Sequence, residues 1–223
     1  MAFPEVIYED NHFIAVNKKP GELVQGDKTG EAPLGEDVKE FIRMKYQKPG
    51  NIFLGVIHRI DRPVSGVLLM AKTSKGLARM NEVFKQRTVQ KTYWAIVTKR
   101  PNDIEGKLEH YLLKDQKRNV VKTVNAKKAG AKLAQLSYKM IKDLGKAWVL
   151  EVKPHTGRAH QIRVQLASMG CPIVGDLKYG APTPNHDKSI SLHAKQLDFV
   201  HPVSKETICI EADPPRNGAW FGV

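Results

Sequence analysis

A chain of 223 residues with 41% hydrophobic and 26% charged residues has the composition of an ordinary folded protein and is long enough for one sizeable core. No run approaches the roughly 20 apolar residues that span a bilayer, and the first residues lack the basic start and apolar stretch of a secretion signal, so neither a membrane protein nor a secreted one is expected. Lysine and arginine outnumber aspartate and glutamate by 36 to 23, and the net charge of +13 favours a polyanionic partner, although a generically basic cytoplasmic protein would also show it.

The first third of the chain predicts short strands around one helix. Residues 6–17 contain two strand-like runs that are separated by a turn-forming cluster. In residues 37–46, apolar side chains recur on one helical face. The apolar runs 52–57 and 67–71 are short enough to be buried strands, and the polar loop 58–66 lies between them.

A helix and a strand are predicted next. Thr73 or Ser74 can cap a helix that continues to about Arg87, with apolar residues at helical spacing. Residues 88–97 then alternate between two faces, as the residues of a strand do. Tyr93 lies on one of these faces, where a half-buried core tyrosine would be ordinary.

The second half of the chain is predicted to be largely β. Residues 133–141 and 147–153 flank a polar turn and predict a hairpin. A helix is predicted over residues 159–169, where a glycine ends it, and strand-like segments return at 191–199 and 207–211. Runs of strands with a few helices between them, rather than strict alternation, predict an α+β domain.

A basic stretch lies between Lys114 and Lys132, with Asp115 as its only acid. Its cations are Lys114, Lys117, Arg118, Lys122, Lys127, Lys128 and Lys132. The tip of a solvated hairpin explains such a run about as well as an arm that grips RNA does. The sequence alone leaves both interpretations open.

The two cysteines, Cys171 and Cys209, stand in apolar stretches without the paired spacing of a zinc site. The cytoplasm keeps such side chains as thiols. We therefore expect a cytoplasmic protein in which both cysteines are reduced and buried in the core.

Asp61 is the first candidate for chemistry. It stands in the loop between two apolar runs, with Arg59 and Arg62 beside it. Such a position is expected to be partly buried and electropositive. Taken alone, a structural ion pair at the end of a strand is the simpler explanation.

The segment 156–163 is the second candidate. It combines a glycine turn and the start of a predicted helix with four polar or cationic side chains, those of Arg158, His160, Gln161 and Arg163. Free backbone N–H groups and the helix dipole attract anions at such a position. By itself, the segment fits a phosphate site and a capped helix with a solvated first turn equally well.

Several motifs, which occur in a fixed order along the chain, favour a functional role for both candidate segments over a purely structural one. The chain resembles the RluA-type pseudouridine synthases in VNKKPG (16–21), HRIDRPVSGVLLMAK (58–72), KTYWA (91–95), GRAHQIRVQLASMGCPIVGDLKYG (157–180), LHA (192–194) and FVHP (199–202). Matches in that order across most of the chain are not expected by chance. The departures are Ile60 for leucine, Val64 for threonine and Lys19 for proline, and they spare the residues on which the chemistry depends.

The resemblance implies one catalytic domain over residues 1–223, without the small RNA-binding module that precedes it in some relatives. The implied fold is α+β, with a mixed, largely antiparallel sheet, flanking helices and a central active-site cleft. We expect the loop of Asp61, the strand of Tyr93 and the helix of Arg163 to converge in that cleft.

The resemblance also implies roles for single residues. Asp61 is the nucleophile, and attack on the ribose carbon and attack on the uracil ring both stay open. Arg163 opposes the effect of burial on that carboxylate, because a planar guanidinium can give it two hydrogen bonds. Tyr93 stacks on the uracil and assists removal of the proton at carbon 5. Arg59 holds the flipped nucleotide or fills the space it leaves.

Further residues are implied to bind RNA or to form the framework of the site. The segment around the second candidate contributes Arg158, His160 and Gln161, and His160 is expected to be a hydrogen-bonding scaffold more than an acid or base. The cations of the basic stretch that we assign to RNA binding are Lys117, Arg118, Lys127 and Lys128.

The implied reaction needs no cofactor, because its substrate and product are isomers. The sequence shows no P-loop, no dinucleotide-binding turn and no histidine spacing of a zinc site. The expected partner is RNA, ribosomal first and transfer RNA second, with no membrane, no obligate protein partner and a monomer as the default. The alternative is a catalytically silent RNA-binding or ribosome-assembly protein on the same scaffold. An RNA methyltransferase or nuclease is disfavoured, since no glycine-rich turn or carboxylate cluster is present.

Overall fold

The computed structural model describes residues 3–26 and 30–223. Its strands are β1 Val6–Glu9, β2 Phe13–Lys18, β3 Gly55–Val56, β4 Ser65–Ala71, β5 Gln90–Val97, β6 Glu105–Asp115, β7 Val120–Val124, β8 Lys132–Asp143, β9 Trp148–Pro154, β10 Leu192–Val200 and β11 Thr207–Glu211. Its helices are α1 Leu34–Tyr46, α2 Ser74–Lys85 and α3 Gln161–Ser168, with short 3-10 helices at Leu177–Tyr179 and Gly218–Trp220. The chain contains more strands than helices, and the helices lie between groups of strands along the sequence, which confirms the α+β class. In the described part of the chain, no helix is both long and apolar enough to cross a bilayer.

The chain forms two compact units, each built from two stretches of sequence. The first unit contains the residues up to Gln90 together with Ala194–Pro214. The second contains Lys91–His193 together with Pro215–Val223. The expectation of one catalytic domain over the whole chain stays a prediction.

The sheet of the first unit is built around β2 and β4. Strand β2 pairs antiparallel with β1 on one side and with β4 on the other. Strand β4 also pairs with β3 and neighbours β10, which in turn pairs with β11. All seven residues of β4 are buried, which explains its continuous apolar run. The core of this unit includes Phe13, Leu69, Met80, Leu197, Phe199 and Ile210.

The sheet of the second unit has the order β5-β9-β8-β6-β7, with antiparallel pairing at each step. Helix α3 is fixed to it by the buried Gln165, whose Nε2 donates to Leu108 O and Ala134 O, each at 3.2 Å. Val164 of the same helix packs against Val121 of β7. These contacts fix the helix, and with it the second candidate segment, on the strands β6 to β8.

The basic stretch contains more regular structure than its sequence predicts. Strands β6 and β7 form an antiparallel hairpin; a hairpin was one of the two interpretations left open for this stretch, but the apolar pattern did not predict its strands. Leu112 and Val121 are buried on this hairpin, but lysines interrupt the apolar alternation that would have indicated strands. Conversely, the apolar run 52–57 contains only the short strand β3.

The predicted burial of Cys209 is wrong, whereas that of Cys171 is confirmed. On β11, Ile208 and Ile210 face the core, and strand alternation turns Cys209 to the opposite, exposed face. There it lies opposite Asp198 of β10, and a hydrogen bond with that carboxylate raises the pKa of the thiol to about 11.

A partly buried ion cluster joins the end of β1 to the end of α1 and to Lys72, which follows β4. The Glu9 carboxylate accepts hydrogen bonds from Lys45 Nζ at 2.6 Å, from Lys72 Nζ at 2.5 Å and from the Tyr46 hydroxyl at 2.8 Å. Burial opposes the ionisation of Glu9, but the three donors outweigh it and lower the pKa of the carboxyl to about 2.

We expect Glu9→Gln to lower the free energy of unfolding by about 1–3 kcal/mol at neutral pH, because Lys72 loses a partly buried counter-charge. The folded-state pKa of Glu9 lies below its unfolded value of about 4.3. The wild-type advantage should therefore be complete above about pH 5 and decrease as the pH falls towards 2. Urea unfolding of both proteins at several pH values measures this difference, and a difference that does not change with pH would contradict the assignment.

Candidate active site

Asp61 is half-buried in the loop that joins β3 to β4 in the first unit. Its carbonyl accepts a hydrogen bond from Val64 N at 3.0 Å, which closes a turn around the carboxylate-bearing residue. The next residue, Arg62, exchanges two bonds with Gly21: its carbonyl accepts from Gly21 N at 2.8 Å, and its Nε donates to Gly21 O at 3.0 Å. The loop is thereby fixed to the turn that follows β2.

Lys18, at the end of β2, holds the same loop from the protein interior. Its side chain is fully buried. The ammonium donates to three backbone carbonyls, those of Lys19 at 2.9 Å, Arg62 at 3.1 Å and Val64 at 2.8 Å. Burial lowers the pKa of Lys18 to about 8, against the opposing attraction of Glu22 and Asp61. The analysis of the sequence missed this residue, although the motif VNKKPG contains it.

The flanks of the Asp61 loop are fixed by separate contacts. His58 Nε2 accepts a hydrogen bond from Leu69 N at 3.0 Å, and its ring stacks on that of Phe84 with the centroids 5.2 Å apart. Gly66 has a φ of +113°, and a Cβ at this position would lie 2.3 Å from Ala194 O. Only glycine fits where β4 passes this close to β10.

The two arginines beside Asp61 make different contacts. Arg59 is exposed, and its Nη1 donates to Gln25 Oε1 at 2.8 Å. Arg62 Nη2 donates to Glu31 Oε2 at 2.6 Å. Arg59 therefore lies at the surface of the first unit.

Tyr93 lies on β5 in the second unit, opposite Val152 of β9. It is half-buried, as is Trp94, whereas Ala95 and the two residues that follow it are buried. The start of β5 is thus the more open part of the strand.

Arg163 is buried in α3, with 5% of its surface exposed. Its Nε donates to Asp176 Oδ2 at 2.7 Å, and its Nη2 donates to Asp176 Oδ1 at 2.9 Å. Such a two-bond pair fixes the plane of the guanidinium. The Tyr179 ring lies 5.1 Å from the guanidinium carbon.

Asp176 and Tyr179 were not among the predicted site residues. Both stand in the segment GDLKYG, which the motif comparison matched without assigning a role to either side chain. A buried arginine needs a fixed anion, so Asp176 could have been identified only if the burial of Arg163 had been predicted, which it was not.

Gln161 closes the turn before α3 with its side-chain amide. Its Oε1 accepts from the Thr156 hydroxyl at 2.7 Å and from Arg158 N at 3.0 Å, and its Nε2 donates to Gln135 O at 3.0 Å. Arg158 Nε donates to Leu133 O at 2.9 Å. Both side chains are thus engaged in holding the segment to β8, which supports a framework role.

The four cations assigned to RNA binding lie on two connections of the second unit. Lys117 and Arg118 are in the turn between β6 and β7, and Lys127 and Lys128 are between β7 and β8. All four are exposed. Their positions fit both a solvated hairpin tip and an RNA-binding arm.

The structure places Asp61 in the first unit and both Tyr93 and Arg163 in the second. The convergence of the three side chains therefore stays a prediction. Across residues 3–26 and 30–223, no group of three or more His, Cys, Asp or Glu side chains is arranged to hold a metal ion.

The family described as RNA pseudouridylate synthase matches residues 12–168. The chain is also similar to proteins named ribosomal large subunit pseudouridine synthase C. That of Buchnera aphidicola (subsp. Acyrthosiphon pisum) is 35% identical over 93% of this chain and 66% of the relative. The Vibrio cholerae protein is 34% identical over 93% of this chain and 64% of its own length. The Rickettsia prowazekii protein is 32% identical over 94% of this chain and 68% of its own length. The chain thus spans about two thirds of the length of these relatives.

Two solved structures share the fold. One is described as human RNA pseudouridylate synthase domain containing 4, with a TM-score of 0.79 and 23% identity over 95% of this chain and 89% of that one. The other, human RNA pseudouridylate synthase domain containing 1, gives a TM-score of 0.74 and 22% identity over 95% and 84%. These likenesses confirm the predicted fold.

Proposed function

Because the chain belongs to the RNA pseudouridylate synthase family, we propose that it isomerises specific uridines in structured RNA to pseudouridine. The observation that carries this proposal is the match over residues 12–168, which includes Asp61, Tyr93 and Arg163. The relatives named above are pseudouridine synthases of the large ribosomal subunit by name. We propose ribosomal RNA as the first substrate to test and transfer RNA as the second.

The reaction must break the bond from the uracil nitrogen to the ribose and then join carbon 5 of the base to the same ribose carbon. We propose Asp61 as the nucleophile, since a carboxylate can form a covalent intermediate with either partner. The rigid turn around Asp61 and the buried Lys18 ammonium support this role. A fixed loop keeps the carboxylate oriented, and Lys18 lies near enough to attract it.

Arg163 is proposed to stabilise the charge of Asp61, and Tyr93 to stack on the uracil and assist loss of the proton at carbon 5. The contacts of Arg163 support its role, because its two hydrogen bonds to Asp176 fix the plane and the orientation of the guanidinium. Support for Tyr93 comes from its half-buried position at the open end of β5. Both roles depend more on how the side chains of Arg163 and Tyr93 are oriented than on their chemical reactivity.

The target uridine must leave its stack to reach a carboxylate, at a cost of a few kcal/mol. Arg59 is proposed to hold the flipped nucleotide or to fill the vacated space. Its exposed guanidinium, held by Gln25, supports this role. Arg158, His160 and Gln161 are proposed to bind RNA or to form the framework of the active site.

Tritium release tests the function directly. A transcript of large-subunit ribosomal RNA labelled at carbon 5 of uridine carries no pseudouridine, and the wild-type protein should release tritium from it. A transfer RNA pool tests the second substrate. Comparable RNA binding without release on either RNA would favour the catalytically silent RNA-binding protein. Mapping pseudouridines in total RNA from a deletion strain and its parent then identifies the position.

We expect replacement of the four basic-stretch cations by glutamine to weaken RNA binding and to flatten its salt dependence. Each phosphate contact contributes roughly 0.7–0.9 to the slope of log K against log salt, so the slope should fall by up to roughly 3. The measurement is RNA affinity at several salt concentrations for the variant in which Lys117, Arg118, Lys127 and Lys128 are replaced.

The matched control replaces four exposed cations of the first unit, again three lysines and one arginine. These are Lys48, Lys75, Arg79 and Lys85. An equal decrease of slope in both variants would indicate a general charge effect, and an unchanged slope in the first would show that the basic stretch does not contact RNA.

A further inference from the structure

One tyrosine contacts three parts of the second unit. Tyr179 ends the 3-10 helix that follows Asp176, and its hydroxyl accepts a hydrogen bond from Val121 N of β7 at 2.9 Å. The same oxygen lies 2.8 Å from His160 Nδ1, at the start of α3. Its ring lies 5.1 Å from the Arg163 guanidinium carbon. The hydroxyl and the ring therefore make separable contacts.

The hydroxyl can serve both of its neighbours at once. The Val121 amide can only donate, so the Tyr179 oxygen accepts this bond and can give its own hydrogen to His160 Nδ1. The phenol oxygen can also accept from Nδ1, because it has two lone pairs, so the contact forms with either tautomer of the imidazole. His160 is then a scaffold whose ring orientation depends on Tyr179.

His160 also has a backbone conformation that needs support. Its φ of 49° and ψ of 21° lie in the left-handed region, which is energetically unfavourable for a residue with a Cβ. Such a conformation persists when surrounding contacts impose it. The bond to Tyr179 is one of these contacts, and it stands directly before the helix that carries Arg163.

The turn that carries Tyr179 contacts the hairpin of β6 and β7, here called the basic hairpin, at two points. Besides the bond from Val121 N to Tyr179, Lys178 Nζ donates to Asn119 O at 3.1 Å, in the turn between β6 and β7. The same turn begins at Asp176, which holds the guanidinium of Arg163. One short segment therefore contacts both the hairpin and the arginine.

We propose that Tyr179 is a positioning residue that sets the basic hairpin and Arg163 in one fixed relation. The hydroxyl fixes β7 and His160, and the ring supports the guanidinium. Contact of RNA with the hairpin and alignment of Arg163 are then coupled through this side chain. The catalytic part of this inference rests on the proposed function, whereas the mechanical part does not.

Two substitutions separate the two contacts. Tyr179→Phe removes the hydroxyl and keeps the ring, so hydrogen exchange at the Val121 amide should rise roughly two- to tenfold, the effect of one lost hydrogen bond. With a transcript of large-subunit ribosomal RNA, KM should rise by a similar factor, and kcat should stay within about twofold. Tyr179→Leu removes the ring as well, and kcat should fall roughly tenfold further, because the guanidinium loses its aromatic support.

The control is Tyr138→Phe, at a buried tyrosine of β8 in the same unit, which should leave Val121 exchange, KM and kcat unchanged. Unchanged exchange at Val121 in Tyr179→Phe would overturn the proposal, and so would equal kcat values in the Phe and Leu variants. An inactive wild-type protein would overturn the proposed function instead. In that case, exchange at Val121 still decides whether Tyr179 positions the hairpin.

Discussion

Asp61→Asn is expected to reduce pseudouridine formation by at least about a thousandfold, because an amide cannot form the covalent intermediate. RNA affinity should stay within roughly threefold, since removing one charge at a loop held by backbone hydrogen bonds leaves the basic surface intact. Tritium release under single-turnover conditions measures the chemical step, and filter binding to the same transcript measures the affinity.

Asp37→Asn provides the matched control for this substitution. Asp37 is an exposed carboxylate in the first turn of α1, and its loss should leave catalysis unchanged. Activity that survives in Asp61→Asn, with the melting temperature of the wild type, would exclude Asp61 as the nucleophile. Loss of RNA binding together with activity would show that the loop serves recognition instead.

Arg163→Lys should lower kcat by at least about a hundredfold while RNA affinity changes by less than roughly threefold. Lysine keeps the charge but cannot give Asp176 two parallel hydrogen bonds, so the cation would no longer be held in one plane. Steady-state kinetics with the labelled transcript and filter binding at one salt concentration separate the two effects.

Arg158→Lys controls for loss of an arginine in the same segment. Arg158 is half-buried and gives a single side-chain bond, to Leu133 O, so lysine should replace it with a small loss. A milder substitution, Asp176→Asn, keeps Arg163 and removes only the negative charge of its partner. It should lower kcat by an intermediate factor if orientation of the guanidinium matters. Weaker RNA binding with unchanged kcat in Arg163→Lys would contradict the assigned role.

The sequence predicted the elements whose patterns are local. Thr73 or Ser74 was expected to cap a helix, and Thr73 does so: its hydroxyl accepts a hydrogen bond from Gly76 N at 3.0 Å. The hairpin of β8 and β9 and the strand β11 were predicted within a few residues. In each case, the signal lies in side chains that are close in sequence and face the same side of one element.

The missed features depend on contacts between distant segments. Lysine is almost never fully buried without partners, so nothing local indicates that Lys18 would donate to carbonyls more than 40 residues away. Asp176 became recognisable only through its pair with Arg163, and Cys209 lies in an apolar run whose exposed face is set by pairing with β10. The motifs located the segments, but the contacts assign roles to Asp176 and Tyr179.

The order of the chain has a consequence for synthesis on the ribosome. In the first unit, Leu197, Phe199 and Ile210 pack in the same core as Phe13. The first strands of this unit therefore cannot complete their core until residues near the C-terminus have been synthesised. The sheet of the second unit is complete once β9 has emerged. The core of the second unit nevertheless includes Trp220, which packs with Ile96 and Val149, so this unit does not have its full core either before residue 220 has emerged. Translation that stops before Ala194 would leave an edge of β4 open to aggregation.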